Sequence, residues 1–282
     1  VTACPVNAIS NNGEQVTIDR SLCQSCGACV ATCPERSLEL PGLSADEIEV
    51  EVTALLAATS DVDVRRVAFV CADAGPSSAE GWLQVRVPCV STLPVAALLA
   101  TLAAGAEAVG LVGCERSRGN GYGGLRGTPG YCRELLTLLG GASEAARVTL
   151  LGPDSCQDVS PWRERPSGHE GEQVRIFGKG AAAEAITRLA DRYSANGMSL
   201  DHESSPLGVV TLDEQACSGC WTCAGSCPPG ALKVEADGDE VSLNFDPALC
   251  SACGECARVC PEAEAGAIRV ERRTDLAALA QG

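Results

Sequence analysis

Positive charge is scarce in this chain. Against 37 acidic residues stand 21 lysines and arginines, a formal net charge of −16. Such a surface repels nucleic-acid phosphates and anionic lipid and attracts basic faces on partner proteins, so nucleic-acid binding is not expected. A membrane-length apolar run is also missing. The longest uncharged stretch, Val87–Ala106, is broken by Pro88 and Pro94 and carries Ser91, Thr92 and Thr101. It reads as a strand end followed by a helix, not as a membrane span. Val1–Ser10 has neither the basic nor the apolar region of a secretory leader. The two histidines, His169 and His202, lie in polar, loop-like surroundings, and no nucleophile–base pair stands out. What remains is the composition of a soluble globular protein, 45% hydrophobic and 21% charged over 282 residues, enough for about two domains.

Cysteine is abundant, with 18 in the chain. That is roughly 6% of residues, below the 8–10% of a small disulfide scaffold. Most sit in tight clusters or before proline rather than scattered between loops. With no leader in view, a reducing, cytoplasmic compartment and metal-bound thiolates are expected.

The C-terminal part contains Cys217-x2-Cys220-x2-Cys223-x3-Cys227-Pro228 and then Cys250-x2-Cys253-x2-Cys256-x3-Cys260-Pro261. These runs resemble those of two-cluster bacterial ferredoxins. Three thiolates three residues apart can wrap one face of a [4Fe–4S] cubane, each taking one iron, but the local backbone cannot reach the fourth corner. The last cysteine of each run therefore ligates the other cluster. One predicted ligand set is Cys217, Cys220, Cys223 and Cys260, and the second is Cys250, Cys253, Cys256 and Cys227. Gly219 and Gly254 let the backbone fold close to the inorganic sulfides, and Pro228 and Pro261 fix φ past the fourth ligand. A single structural zinc would leave half of these eight thiolates unused. Trp221, between two ligands, is expected to pack over its cluster.

The N-terminal part repeats half of this unit. Cys23-x2-Cys26-x2-Cys29-x3-Cys33-Pro34 is a full run, preceded by Cys4-Pro5-Val6-Asn7-Ala8-Ile9, the tail of another. The crossing rule gives the set Cys4, Cys23, Cys26 and Cys29, hence three [4Fe–4S] clusters in all. Cys33 is left over. Either a run upstream of Val1 is missing from the chain, or Cys33 is a structural thiol.

The middle alternates strand-like runs at Val64–Cys71, Leu83–Cys89, Glu107–Cys114 and Arg147–Leu151 with helix-like stretches at Pro94–Gly105, Gly130–Leu139 and Ala181–Ser194. Such alternation predicts a parallel sheet covered by helices. Asp46–Ser60 reads as a connecting helix, Pro153–Gly171 as a long loop and 196–207 as a linker. Cys71, Cys89 and Cys114 each end a strand and Cys156 follows the fourth, which gathers thiols at the edge where open parallel sheets bind ligands. Buried cysteines acting as small hydrophobes are the alternative.

Val67–Cys71, Arg86-Val87-Pro88-Cys89, Gly105-Ala106-Glu107-Ala108-Val109 and Val112-Gly113-Cys114 resemble the delta (iron–sulfur) subunit of methyl-viologen-reducing hydrogenases, which joins hydrogenase to heterodisulfide reductase. That resemblance spans about 90 residues and implies a [2Fe–2S] site and a docking role between redox enzymes. The chain departs from the pattern at Ala74 and near Gly119, where the family has cysteines, so a fourth ligand would have to be Cys132 or Cys156. Gly119-Asn120-Gly121-Tyr122-Gly123-Gly124, with Arg116, Arg118 and Arg126 nearby, matches a dinucleotide fingerprint in letters. The charged stretch Glu115–Arg118 separates it from the strand that should precede it.

The expected architecture is α+β ferredoxin-like segments at 1–42 and 207–272 flanking a central α/β domain with a parallel sheet at 62–195. The expected function is that of a non-catalytic electron-transfer subunit, between a hydrogenase or dehydrogenase and a heterodisulfide-reductase-like acceptor. Two alternatives stand beside it: a flavin- or nucleotide-binding oxidoreductase with its site in the middle domain, and a middle domain that only docks partners.

Overall fold

The computed structural model describes residues 4–12, 15–33, 38, 40, 45–59, 65–75, 79, 81–115, 127–151, 174–195, 197–238 and 240–281. The fingerprint loop with its three arginines, Cys156, His169 and the long loop all lie outside the described residues. The chain divides into two compact units, Val1–Ala181 and Ala182–Gly282.

The first unit opens with a small antiparallel hairpin, β1 (Ile9–Asn11) and β2 (Val16–Ile18), with Ile9 opposite Ile18. A short helix α1 (Ala28–Thr32) and a longer one, α2 (Ala45–Ala58), follow. Then come β3 (Arg66–Cys71), β4 (Leu83–Val87), α3 (Val95–Ala103), β5 (Ala108–Val112), α4 (Thr128–Gly140) and β6 (Val148–Leu150). The four strands form one parallel sheet in the order β4-β3-β5-β6. β5 is buried along its whole length and β3 beyond Arg66, as a parallel strand covered on both faces requires. Their unbroken apolar runs are why the sequence located them to within two residues.

Helix α3 is apolar on all sides because it is buried along nearly its whole length. In α4, Pro129 sits in the first turn, Gly141 closes the end at φ 96°, and Tyr131, Cys132, Leu135, Leu136 and Leu139 form the buried stripe. At Gly110 in β5 an added Cβ would run into Leu151 and lie 3.0 Å from Trp82. The Arg147 guanidinium, 5% exposed, donates to the Glu107 carbonyl at 2.8 Å and pairs with the carboxylates of Glu107 and Glu144. Glu49 on α2 is 8% exposed, and one carboxylate oxygen accepts the backbone N–H groups of Ile176 and Phe177, both at 2.8 Å. Thr53 accepts from Val174 at 2.9 Å. These bonds tie segment 174–177 to α2.

The second unit begins with α5 (Ala181–Tyr193) and β7 (Ser199–Asp201), then β8 (Gly208–Leu212), α6 (Thr222–Gly225), β9 (Leu232–Asp237), β10 (Glu240–Phe245), α7 (Glu255–Arg258), β11 (Ile268–Asp275) and α8 (Leu276–Leu279). β11 lies between β7 and β8, antiparallel to both, and β9 pairs with β10 as a hairpin. The stretch 196–207, expected as a linker, thus contains a strand, with Ser199–Asp201 paired to Arg273–Asp275. Its core gathers Leu232, Cys256 and Ile268 with Val210, Leu243, Phe245 and three more cysteines packed around them.

Candidate metal centres

The three cysteine runs fold alike. In each, the residue before the second cysteine is left-handed: Ser25 at φ 51°, Gly219 at 67° and Ala252 at 53°. So is the residue after it: Gly27 at 74°, Trp221 at 60° and Gly254 at 74°. The third cysteine then enters a short helix, Cys29 in α1, Cys223 in α6 and Cys256 in α7. Left-handed residues on both sides of the second cysteine curl the loop, the kind of turn in which successive N–H groups form a concavity, or backbone nest, suited to an anionic iron–sulfur core. Glycine adopts this conformation freely. Ser25, Trp221 and Ala252 adopt it at a cost of roughly 1–2 kcal/mol each, and that cost marks a conformation imposed by its surroundings.

An aspartate stands four residues before each run, Asp19, Asp213 and Asp246. Its carboxylate caps a turn by accepting a backbone N–H two residues on, from Ser21 at 2.8 Å, Gln215 at 3.0 Å and Ala248 at 2.9 Å. Each aspartate N–H in turn donates to a carbonyl just past a Cys-Pro tail. Asp19 reaches Ala8 at 2.8 Å, Asp246 reaches Ala231 at 2.7 Å and Asp213 reaches Ala267 at 2.9 Å. These bonds stitch the tail of Cys4 to the run of Cys23, that of Cys227 to the run of Cys250, and that of Cys260 to the run of Cys217. Cys4 also accepts at its sulfur from Ala8 N–H at 3.2 Å.

Two cavities in the second unit follow the same pairing. One, about 400 Å3, is lined by Cys217, Cys220, Cys223 and Cys260, with Trp221, Leu212, Ile268 and Leu243 around them. The other, a narrow apolar crevice of about 10 Å3, is lined by Cys227, Cys250, Cys253 and Cys256. Each joins three thiols of one run to the fourth of the other. No three His, Cys, Asp or Glu side chains among the described residues converge closely enough to hold a single metal ion. A cubane asks for a different arrangement, one thiolate per iron spread around a core.

Residues 216–263 match a family described as a 4Fe-4S dicluster domain, and residues 15–38 match a 4Fe-4S binding domain. The chain carries two 4Fe-4S ferredoxin-type domains. These domains support an iron–sulfur electron-transfer role. No curated protein matches the chain.

The two halves of the dicluster domain are not equivalent. Cys250 and Cys256 are each only 7% exposed, whereas Cys220 is exposed and Trp221 beside it is 38% exposed. Burial pushes the Cys256 thiol up to about 11 and raises those of Cys250 and Cys223 as well. Cys220 goes the other way, held down first by the Thr222 side-chain hydroxyl. In the N-terminal 4Fe-4S domain, burial raises the Cys29 thiol. Cys33 follows α1, its N–H donating to Cys29 O and Val30 O.

Cys71, Cys89 and Cys114, all buried, lie at the C-terminal edge of three adjacent strands, β4, β3 and β5. Register fixes this: Cys71 stands opposite Val87, two residues before Cys89, and Val70 stands opposite Val112, two residues before Cys114. Cys71 sulfur accepts the Val90 N–H at 3.2 Å. Cys132 is fully buried within α4, and burial drives its thiol far above the usual range. Among the described residues no helix is long and apolar enough to cross a membrane.

The repeated aspartate and the left-handed serine, tryptophan and alanine escaped the reading from sequence. A visible signal existed for the first, an acid at a fixed distance from every run. The others had none, since their residue types do not favour positive φ.

Proposed function

We propose that this chain is a non-catalytic electron-transfer subunit holding three [4Fe–4S] clusters. Their ligands are Cys4, Cys23, Cys26 and Cys29; Cys217, Cys220, Cys223 and Cys260; and Cys250, Cys253, Cys256 and Cys227. The observation that carries this is the set of backbone bonds from Asp19, Asp213 and Asp246, each of which brings a Cys-Pro tail beside the run that lacks a fourth thiol. When bound, such clusters accept and release single electrons. The chain's own part is to cradle them with N–H groups of the nests, hold four thiolates each, and limit water by burial.

Residues 1–42 and 207–272 act as the cluster segments, before and after an α/β domain at 62–195 in the sequence. At the strand edge of that domain, Cys71, Cys89 and Cys114 supply three ligands for a [2Fe–2S] centre. Electrons pass between a hydrogenase or dehydrogenase partner and an acceptor resembling heterodisulfide reductase, in the cytoplasm. The resemblance of the motifs at Val67–Cys71, Arg86–Cys89, Gly105–Val109 and Val112–Cys114 to the hydrogenase delta subunit supports this pairing, and the charge of −16 favours partners with basic docking faces. Anaerobic purification with iron analysis tests the reading. About twelve iron atoms per chain are expected from the three clusters, plus two where the strand edge is filled. Iron near zero would end it, and the subunits that co-purify identify donor and acceptor.

A further inference from the structure

Gly27 has a neighbour that its counterparts lack. Trp221, at the matching position of the second run, carries a full side chain at φ 60°, and a Cβ added at Gly254 in the third would meet nothing within 4 Å. Left-handed backbone alone therefore does not demand glycine at this position. At Gly27, an added Cβ would collide with Thr92 Cγ2 and lie 3.1 Å from Thr92 Cβ and 3.4 Å from its Cα. A side chain is excluded there by close contact between the first cysteine run and the α/β domain.

Thr92 ends a buried turn, Val90–Thr92, that begins at Cys89. Its N–H and hydroxyl both donate to the Cys89 carbonyl, at 3.0 Å and 2.6 Å. At the other end of the turn, Val90 N–H donates to Cys71 sulfur at 3.2 Å. One turn thus touches the first cluster loop on one side and, on the other, bonds the Cys71 sulfur and the Cys89 carbonyl. The ideal Cβ at Gly27 lies 3.4 Å from Thr92 Cα, so one further bond puts the two Cα atoms at most about 5 Å apart. One Cα step back to Cys26 with a closed turn back to Cys89 leaves those two cysteines at most about 16 Å apart, Cα to Cα.

We propose that the N-terminal cluster site and the three-thiol strand edge form one redox module, bridged by the turn Val90–Thr92. The inference rests on the iron–sulfur reading above. With a [4Fe–4S] cluster held by Cys4, Cys23, Cys26 and Cys29 and an iron–sulfur centre held at Cys71, Cys89 and Cys114, the module would pass a single electron from one to the other in either direction. No bond is made or broken and no proton moves. Gly27 and Thr92 are positioning residues that set the separation of the two centres.

Electron paramagnetic resonance on the anaerobically purified, reduced full chain tests this. In the wild type, the signal of the N-terminal cluster should be split or relaxation-broadened by a second spin nearby. Cys71→Ser should remove that interaction while the iron of the terminal segments stays. Gly27→Ala should also weaken it, with the iron of the N-terminal segment counted in the same sample, and adding Thr92→Ser, which deletes the colliding Cγ2 but keeps the hydroxyl, should restore it. An isolated N-terminal signal in the wild type overturns the proposal. So does an interaction indifferent to Gly27→Ala, or a Gly27→Ala defect that Thr92→Ser leaves unrepaired. Absence of iron from the C-terminal eight cysteines is a different failure and strikes the electron-carrier reading itself.

Discussion

Replacing Cys260 with serine separates the crossed arrangement from a local one. In sequence Cys260 belongs with Cys250, Cys253 and Cys256, but in the structure it lines the larger cavity with Cys217, Cys220 and Cys223. Loss of the whole cluster there would lower iron from about twelve to about eight per chain. The count alone does not say which site was emptied, so thiol accessibility must decide. Cys220 and Cys253 are the informative pair, since both are exposed, whereas Cys250 and Cys256 would react slowly even if released. The Thr222 hydroxyl lowers the Cys220 thiol, which favours the reactive thiolate once metal is gone. Anaerobic alkylation followed by peptide mapping should therefore label Cys220 in Cys260→Ser and leave Cys253 protected. Cys227→Ser should give the opposite pattern. Labelling of Cys253 in Cys260→Ser, with Cys220 protected, would refute the crossed ligation.

Glu49→Ala strands one buried and one half-buried N–H group and should cost about 3 kcal/mol, or roughly 6–12 °C in a melt of the first unit, at unchanged C-terminal iron. Gly110→Ala forces Leu151 and Trp82 outward and should destabilise the sheet by about 1–3 kcal/mol in a denaturant titration. Trp221→Ala keeps the left-handed backbone but opens the larger cavity to water, which favours the more negatively charged reduced state. The potential of that cluster should rise by on the order of tens of mV in a redox titration, with its partner cluster unmoved.

Much of the central sheet could be read from sequence because strands such as Val67–Cys71 and Ala108–Val112 are buried on both faces and spell continuous apolar runs. β7 could not. Ser199–Asp201 is three largely exposed residues with no apolar pattern, and it is a strand only because β11 offers a free edge. Spacing alone also says nothing to place Cys260 beside Cys217. The ferredoxin rule raised that neighbourhood as an expectation, and the bond from Asp213 to Ala267 brings the two segments together. The left-handed Ser25, Trp221 and Ala252 lay beyond the sequence for a plain reason: the backbone there is dictated by the loop and not by the residue.

The same loop occurs three times, and the position after its second cysteine differs in each copy. Gly27 is pressed against Thr92, Trp221 stands at a cavity open enough for water, and Gly254 has free space where a side chain would be. The proposed ligand sets have the same chemistry in all three, four thiolates to one cubane. Whatever distinguishes the clusters in potential or in partner must then come from the shell beyond the sulfurs. The first copy spends that position on contact with the α/β domain and the second on an exposed aromatic. Substitution at this one position therefore reaches the surroundings of a single cluster without removing any ligand.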